Sequence, residues 1–269
     1  MATIIDALNN WKMETPKLFG FFHFFFIALT IIVSVLLVHH FRDSSEKKVK
    51  RILLISWITL VVLEIGKQLI LNYEDGLIKF KWFNFPFQFC ETPLYVIPIL
   101  LLNKNEKVRN ALISFMASFV LFAGLAITLV PVAITSTNVF LNLRQFYGHG
   151  LQVALGIFLF AWNRKNMSFK TFLHGTYVFL IGVAIAFTLN LVIGYGFHKE
   201  INMFYTAINQ PSVLLILKDI KPYVPYTVYL LTYIVGFTGI AFGIYYVEDV
   251  IARRVYNINV NQQEKVELK

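Results

Sequence analysis

The 269-residue sequence is short of what a water-soluble domain needs. Charged residues make up 14% of it and apolar residues 57%, whereas soluble domains carry about 25% charge. A globule in water could not hide that much apolar surface. There is one cysteine, Cys90, so an internal disulfide is excluded and the redox compartment cannot be read. No HExxH, CxxC or clustered His/carboxylate spacing occurs, which argues against a metal centre. Gly-rich phosphate loops and the GxSxG elbow are missing too, and no cofactor is expected. The last apolar stretch has no interior lysine to hold a retinal. No internal repeat is visible, which weakens a transporter built from paired halves. The net charge is +9, but outside the apolar runs there is no basic stripe with interleaved aromatics, so nucleic acid is not an expected partner.

What the sequence does contain is oil, with 27 phenylalanines. A helix needs about 20 apolar residues to cross a bilayer. Seven stretches qualify as candidates, at about 18–38, 52–71, 85–102, 111–132, 146–162, 172–195 and 224–247. The third and fifth are short and carry polar residues. The expected fold is therefore all-α: one polytopic membrane domain over 1–269 with seven transmembrane helices and a polar tail at 248–269. The first stretch is too long for a signal-peptide core and is followed by the basic run Lys47-Lys48-Val49-Lys50-Arg51, so it reads as a retained span. Of the 24 Lys and Arg, 15 fall in the loops after spans one, three and five and in the tail, against eight on the other side. The positive-inside rule then puts the N-terminus outside and the C-terminus in the cytoplasm of a multi-pass protein of the cell membrane. The abundance of Phe, Ile, Asn and Lys hints at an AT-rich bacterial genome. The long outer stretch 196–223 contains an apolar patch at Pro211–Leu217, expected to lie along the interface or dip back into the bundle.

Ionisable groups in hydrocarbon are costly and should turn inward and find partners. Span two carries Glu64, Lys67 and Gln68 at helical spacing, on one face. Glu64 and Lys67 read as a self-neutralising pair, equally consistent with simple helix packing. Span three opens Pro86-Phe87-Gln88-Phe89-Cys90-Glu91-Thr92-Pro93, with Pro86 placed to start the helix and Pro93 to kink it. There Gln88, Glu91 and Tyr95 share a face and Cys90 flanks it; a buried cysteine is often only a small hydrophobe. Span five opens Arg144-Gln145-Phe146-Tyr147-Gly148-His149-Gly150, with glycines stripping bulk from around His149. With alternating span directions, Glu64, Lys67, Gln88, Cys90, Glu91 and His149 reach one level in the outer half, with His23 and Asn202 at comparable height. The expectation is a polar pocket just beneath the outer surface.

A thiol with a nearby imidazole is the minimal apparatus for acyl transfer: the thiolate attacks and the histidine takes its proton. Gln88 or Asn202 would then donate to the developing oxyanion. A non-enzymatic binder or transporter would instead use Glu64, Lys67 and Glu91 to hold a polar ligand. A structural protein would use the same groups only to join helices.

Several short strings occur in order: Phe85-Pro86-Phe87-Gln88-Phe89-Cys90, Gln145-Phe146-Tyr147-Gly148-His149-Gly150, Asn202-Met203-Phe204-Tyr205, Gln210-Pro211-Ser212-Val213-Leu214 and Pro222-Tyr223-Val224-Pro225-Tyr226. Together they resemble the YwaF-type integral membrane proteins of bacteria, which are similar to the transmembrane protein 164 acyltransferases. The resemblance covers about Leu18 to Val247. It implies phospholipid remodelling, with membrane lipids as partners, through a cysteine and a histidine that fall at Cys90 and His149. His23 matches a histidine common near the start of the first span, and Gln88 stands where many relatives carry histidine.

Overall fold

The computed structural model describes residues 2–131 and 135–256. Among these the fold is helical, apart from a two-stranded antiparallel hairpin, β1 (Tyr73–Glu74) and β2 (Leu77–Ile78). A short α1 (Ala2–Asn10) precedes α2 (Phe21–Phe41) and α3 (Glu46–Leu71). After the hairpin come α4 (Pro93–Leu102), α5 (Glu106–Phe115) and α6 (Leu121–Leu129). A buried π-helical turn, Met116–Val120, joins α5 and α6 into one helix of 24 residues. Then follow α7 (Val139–Asn163), α8 (Phe169–Leu189) with a π-helical extension to Gly196, the short α9 (Leu217–Ile220) and α10 (Tyr226–Tyr256). The chain encodes several starts locally. Asn105, Asn138 and Ser168 each accept a backbone N–H of the first helical turn through their side chains, the usual role of such residues at an N-cap.

Among the described residues, five helices are long and apolar enough to cross a membrane: Phe21–Phe41, Glu46–Leu71, Glu106–Leu129, Phe169–Gly196 and Tyr226–Val255. The result is an all-α bundle of an integral membrane protein. The other two expected spans behave differently, each for a physical reason. In the third, the α-helix begins at Pro93 and not at Pro86. Proline suits a first helical turn, where its missing N–H is not needed. Phe89–Glu91 ahead of it form a 3₁₀ turn, leaving a shorter apolar helix over Phe89–Leu102. In the fifth, α7 runs 25 residues from Val139, seven earlier than the apolar stretch suggested. Its first half is polar because those residues face protein. Arg144, which lies ahead of the expected span at 146–162, thus sits inside a helix.

The layering is inside-out relative to a soluble protein. α5–α6 is the most buried of the five long apolar helices, and it packs with α7, whose inner face is buried along most of its length. α2, α3, α8 and α10 surround them and expose large apolar side chains such as Val35, Val62, Ile181 and Val235 outward. In water that surface would be a liability; against acyl chains it is matched. Close contact in the centre needs glycine. A Cβ on Gly150 would lie 2.4 Å from Thr30 Oγ1 of α2.

Phenylalanine fills the core. Phe89 meets Phe115, Phe179, Phe204 and Phe237 edge-on, with centroids 5.2–6.3 Å apart. These rings come from α5, α8, the stretch after α8 and α10, so four separate segments clamp the residue next to Cys90. Of the long stretch 196–223, the part that dips into the bundle is Ile201–Thr206, where Met203 and Phe204 are fully buried. The Pro211–Leu217 patch stays largely exposed, with only Ser212 and Leu217 covered. Asn190 fastens the buried segment to the end of α8 by holding both the N–H and the carbonyl of Met203. The segment before α2 is also docked: Val139 N–H donates to Trp11 O, and Asn138 Nδ2 donates to Leu8 O. α10 continues through Tyr256, past the expected span end, and the rest of the tail, 257–269, lies outside the described residues.

Candidate functional site

The polar stripe of α3 does turn inward, and it meets α4 and α7. Lys67 pairs with Glu64 at 2.7 Å and contacts Glu91 just ahead of α4. Arg144 Nη2 of α7 bridges the same two carboxylates, contacting Glu64 Oε2 and reaching Glu91 Oε1 at 3.0 Å. The expected pair is thus half of a neutral quartet, two carboxylates with two cations, all almost fully buried. Charges this far from water are tolerated only when paired and hydrogen-bonded, and the remaining valences are filled. Gln68 Nε2 donates to Glu64 Oε1 at 2.8 Å, the Gln88 backbone N–H donates to Glu91 Oε2 at 2.8 Å, and Arg144 Nη1 donates to Gln145 Oε1 at 2.8 Å.

Beside the quartet lies a cavity of about 30 Å³ lined by Glu64, Cys90, Glu91, Arg144, Gly148, His149 and Gln152, with Leu60, Leu63, Pro93 and Leu94 completing the wall. Four residues singled out in the sequence, Glu64, Cys90, Glu91 and His149, therefore share one cavity. Cys90 is partly exposed, while His149 is 3% exposed. Cys90 sits in the 3₁₀ turn leading into α4, where the positive end of the helix dipole favours negative charge. His149 lies ten residues into α7, roughly 15 Å along the helix from its start.

The histidine's tautomer follows from its surroundings. Nδ1 lies 2.7 Å from Gln145 O, which can only accept, so Nδ1 carries the hydrogen of the neutral ring. Nε2 then holds the lone pair, and it is buried without a hydrogen-bond partner among the described residues. Gln152, one turn on, is fixed the same way. Its Nε2 donates to Cys90 O at 2.6 Å, and its Oε1 is buried without a partner. Gly148 leaves room at the wall, since a Cβ there would meet only Leu60 Cδ2, at 4.0 Å.

Three other residues singled out in the sequence are occupied elsewhere. Gln88 Nε2 donates to Asn202 O at 2.9 Å, and its Oε1 accepts from Phe204 N–H at 3.1 Å. Asn202 Nδ2 donates to Pro211 O at 2.8 Å, and its Oδ1 accepts from Ala207 N–H at 3.1 Å. Both amides, expected as oxyanion donors, instead hold the stretch 196–223 against the bundle. His23 is fully buried between Phe19 N–H at 3.0 Å and Thr128 O at 2.8 Å, tying α2 to the end of α6. It does not line the cavity. Sequence reading missed Arg144 and Gln152. Arg144 adjoins the motif containing His149, and Gln152 lies three residues beyond His149 on the same helical face, a spacing that was available to be noticed.

A second, larger cavity of about 450 Å³ lies at the other end of the bundle, between the α2–α3 turn, the start of α5 and the end of α7. Its charges are largely paired, Arg164 with Asp43 at 2.6 Å and Arg109 with Glu46 at 3.0 Å, and it contains neither cysteine nor histidine.

The sequence model of the TMEM164 family matches residues 18–246. The chain belongs to that family. The matched region takes in Cys90, His149 and every member of the quartet. No curated protein and no solved structure gave a match. Family membership agrees with the likeness carried by the short strings, and the apolar outer surface agrees with an integral membrane protein.

Proposed function

We propose that this TMEM164-family protein is a membrane-embedded acyltransferase acting on phospholipid esters, with Cys90 as nucleophile and His149 as base. The observation that carries the reading is the lone pair of His149 Nε2, buried and without a partner among the described residues, in the wall of the same cavity as the chain's only thiol. Cys90 Sγ–H passes its proton to Nε2, and the thiolate attacks the ester carbonyl. The alkoxide of the departing lysolipid takes the proton back, leaving a thioester on Cys90. An acceptor hydroxyl then gives its proton to Nε2 and attacks the thioester, so the thiol is restored and no cofactor is consumed. The quartet holds α3, the turn carrying Cys90, and α7 in register.

A cavity of about 30 Å³ holds a reacting carbonyl or a water but not a whole nutrient, since small-molecule sites run to about 300–1,000 Å³. That size favours the enzymatic reading over a ligand-holding one, with the acyl chain lying outside among Leu60, Leu63 and Leu94. The topology that goes with it has seven crossings of the cell membrane, with α4 and α7 set among the five more apolar spans. The N-terminus lies outside and the C-terminus in the cytoplasm. The test uses purified protein in nanodiscs with a phospholipid donor and a labelled lysophospholipid. Transfer by the wild type, with an acyl adduct of Cys90 seen by mass spectrometry, supports the reading. Transfer undiminished in Cys90→Ala overturns it.

A further inference from the structure

The cavity wall carries two buried groups of one kind. His149 Nε2 is an acceptor because Nδ1 faces a carbonyl, and Gln152 Oε1 is an acceptor because Nε2 faces the Cys90 carbonyl. Neither orientation can be reversed without setting two acceptors against each other. The two residues are 3% and 4% exposed, lie three apart on α7, line the same cavity, and have no partner for these atoms among the described residues. They cannot satisfy each other. The Cys90 thiol has a single hydrogen and can serve only one of them. A molecule with two hydrogens to give can serve both, and about 30 Å³ is room for one or two waters.

We propose that His149 Nε2 and Gln152 Oε1 form a two-acceptor subsite for water, which makes the protein a lipid hydrolase as well as a transferase. Gln152 is the positioning residue that sets the balance between the two. The inference rests on the covalent reading given above. Water donates one hydrogen to each acceptor, which aims an oxygen lone pair at the thioester carbon. Its oxygen bonds to that carbon as one proton moves to Nε2. The tetrahedral adduct collapses, the C–S bond breaks, and the departing thiolate recovers the proton from the imidazolium. The products are a free fatty acid and the original thiol. A lipid alcohol has one hydroxyl hydrogen, which goes to Nε2, so it gains nothing from Gln152 Oε1. Loss of that oxygen should therefore penalise water more than an alcohol.

The experiment follows acyl release and acyl transfer together, in nanodiscs prepared in ¹⁸O-water with a phospholipid donor and a lysophospholipid acceptor. The wild type should release fatty acid containing one ¹⁸O alongside the transferred product. Gln152→Leu should lower the ratio of hydrolysis to transfer about tenfold, the scale of one buried hydrogen bond. Gly148→Ala, whose added methyl enters the cavity and leaves Gln152 untouched, should lower the ratio as well and guards against misfolding of the leucine variant. A purely structural Gln152 would depress both products in proportion and leave the ratio unchanged, and that result overturns the inference. So does fatty acid free of ¹⁸O from a wild type that transfers normally. If wild-type Cys90 never acquires an acyl adduct, the covalent reading falls and this inference falls with it. Adduct formation with an unchanged ratio removes the inference alone.

Discussion

Replacing Arg144 with glutamine removes the guanidinium that joins Glu64 to Glu91. Lys67 remains, so two buried carboxylates face one ammonium and the cluster carries a net charge of −1. Removing one partner of a buried ion pair costs about 3–5 kcal/mol, mostly the penalty of a charge left uncompensated. At about 2–4 °C per kcal/mol for a chain of this size, Tm should fall by roughly 6–20 °C. A charge on an exposed loop would change stability by no more than about 0.5 kcal/mol. Thermal unfolding in nanodiscs, read by exposure of the single thiol to a maleimide dye, distinguishes the two. The double variant Glu64→Gln/Arg144→Gln keeps the direct contact of Lys67 with Glu91 and restores neutrality, so it should regain at least half the loss. A fall under about 2 °C for the single variant, or a double variant less stable than Arg144→Gln alone, refutes the quartet as described.

Gly150→Ala should destabilise by about 1–3 kcal/mol, because its methyl would sit 2.4 Å from Thr30 Oγ1 and force α2 from α7; Gly148→Ala, with open space, should unfold close to the wild type in the same melt. His23→Ala leaves Thr128 O without its partner and should cost about 1–3 kcal/mol, with acyl transfer per folded molecule unchanged. At the other end of the bundle, the hydrogen bond from Arg164 holds the Asp43 carboxyl below its ordinary value of 3.8. Its folded value is the lower one, so its stabilisation is complete above 3.8 and is lost as pH falls through the folded value. The Tm difference between wild type and Asp43→Asn should shrink over that acidic range, and a difference that stays constant would show that the pair contributes nothing.

Much of this molecule was legible from composition and pattern. Apolar runs near 20 residues can only be helices in a bilayer, because hydrocarbon offers no partner for an open backbone group. That constraint acts on each segment alone, so no tertiary information was needed to place α2, α3, α5–α6, α8 and α10. The inward stripe of Glu64 and Lys67 was legible for the same reason: charges that lipid rejects must face protein. The nearness of Cys90 and His149, far apart in sequence, was suggested by their level in the spans, and the shared cavity agrees with it.

The remaining features depended on neighbours. Arg144 falls outside the apolar run at 146–162 because hydropathy averages a segment, and the first turns of α7 carry Asn142, Arg144 and Gln145, which only surrounding helices make tolerable. Pro86 and Pro93 are both acceptable helix starts, and the ring cluster around Phe89 decided between them by fixing the turn ahead of Pro93. Gln88, Asn202 and His23 are polar groups at a suggestive height, yet each is consumed by backbone groups that only the folded outer stretch and the end of α6 bring near. Which atom of His149 or Gln152 keeps a free lone pair depends on what faces its other atom. Helix existence is set by the chain's own contact with lipid, whereas the state of a buried polar atom is set by whichever distant segment comes to rest beside it.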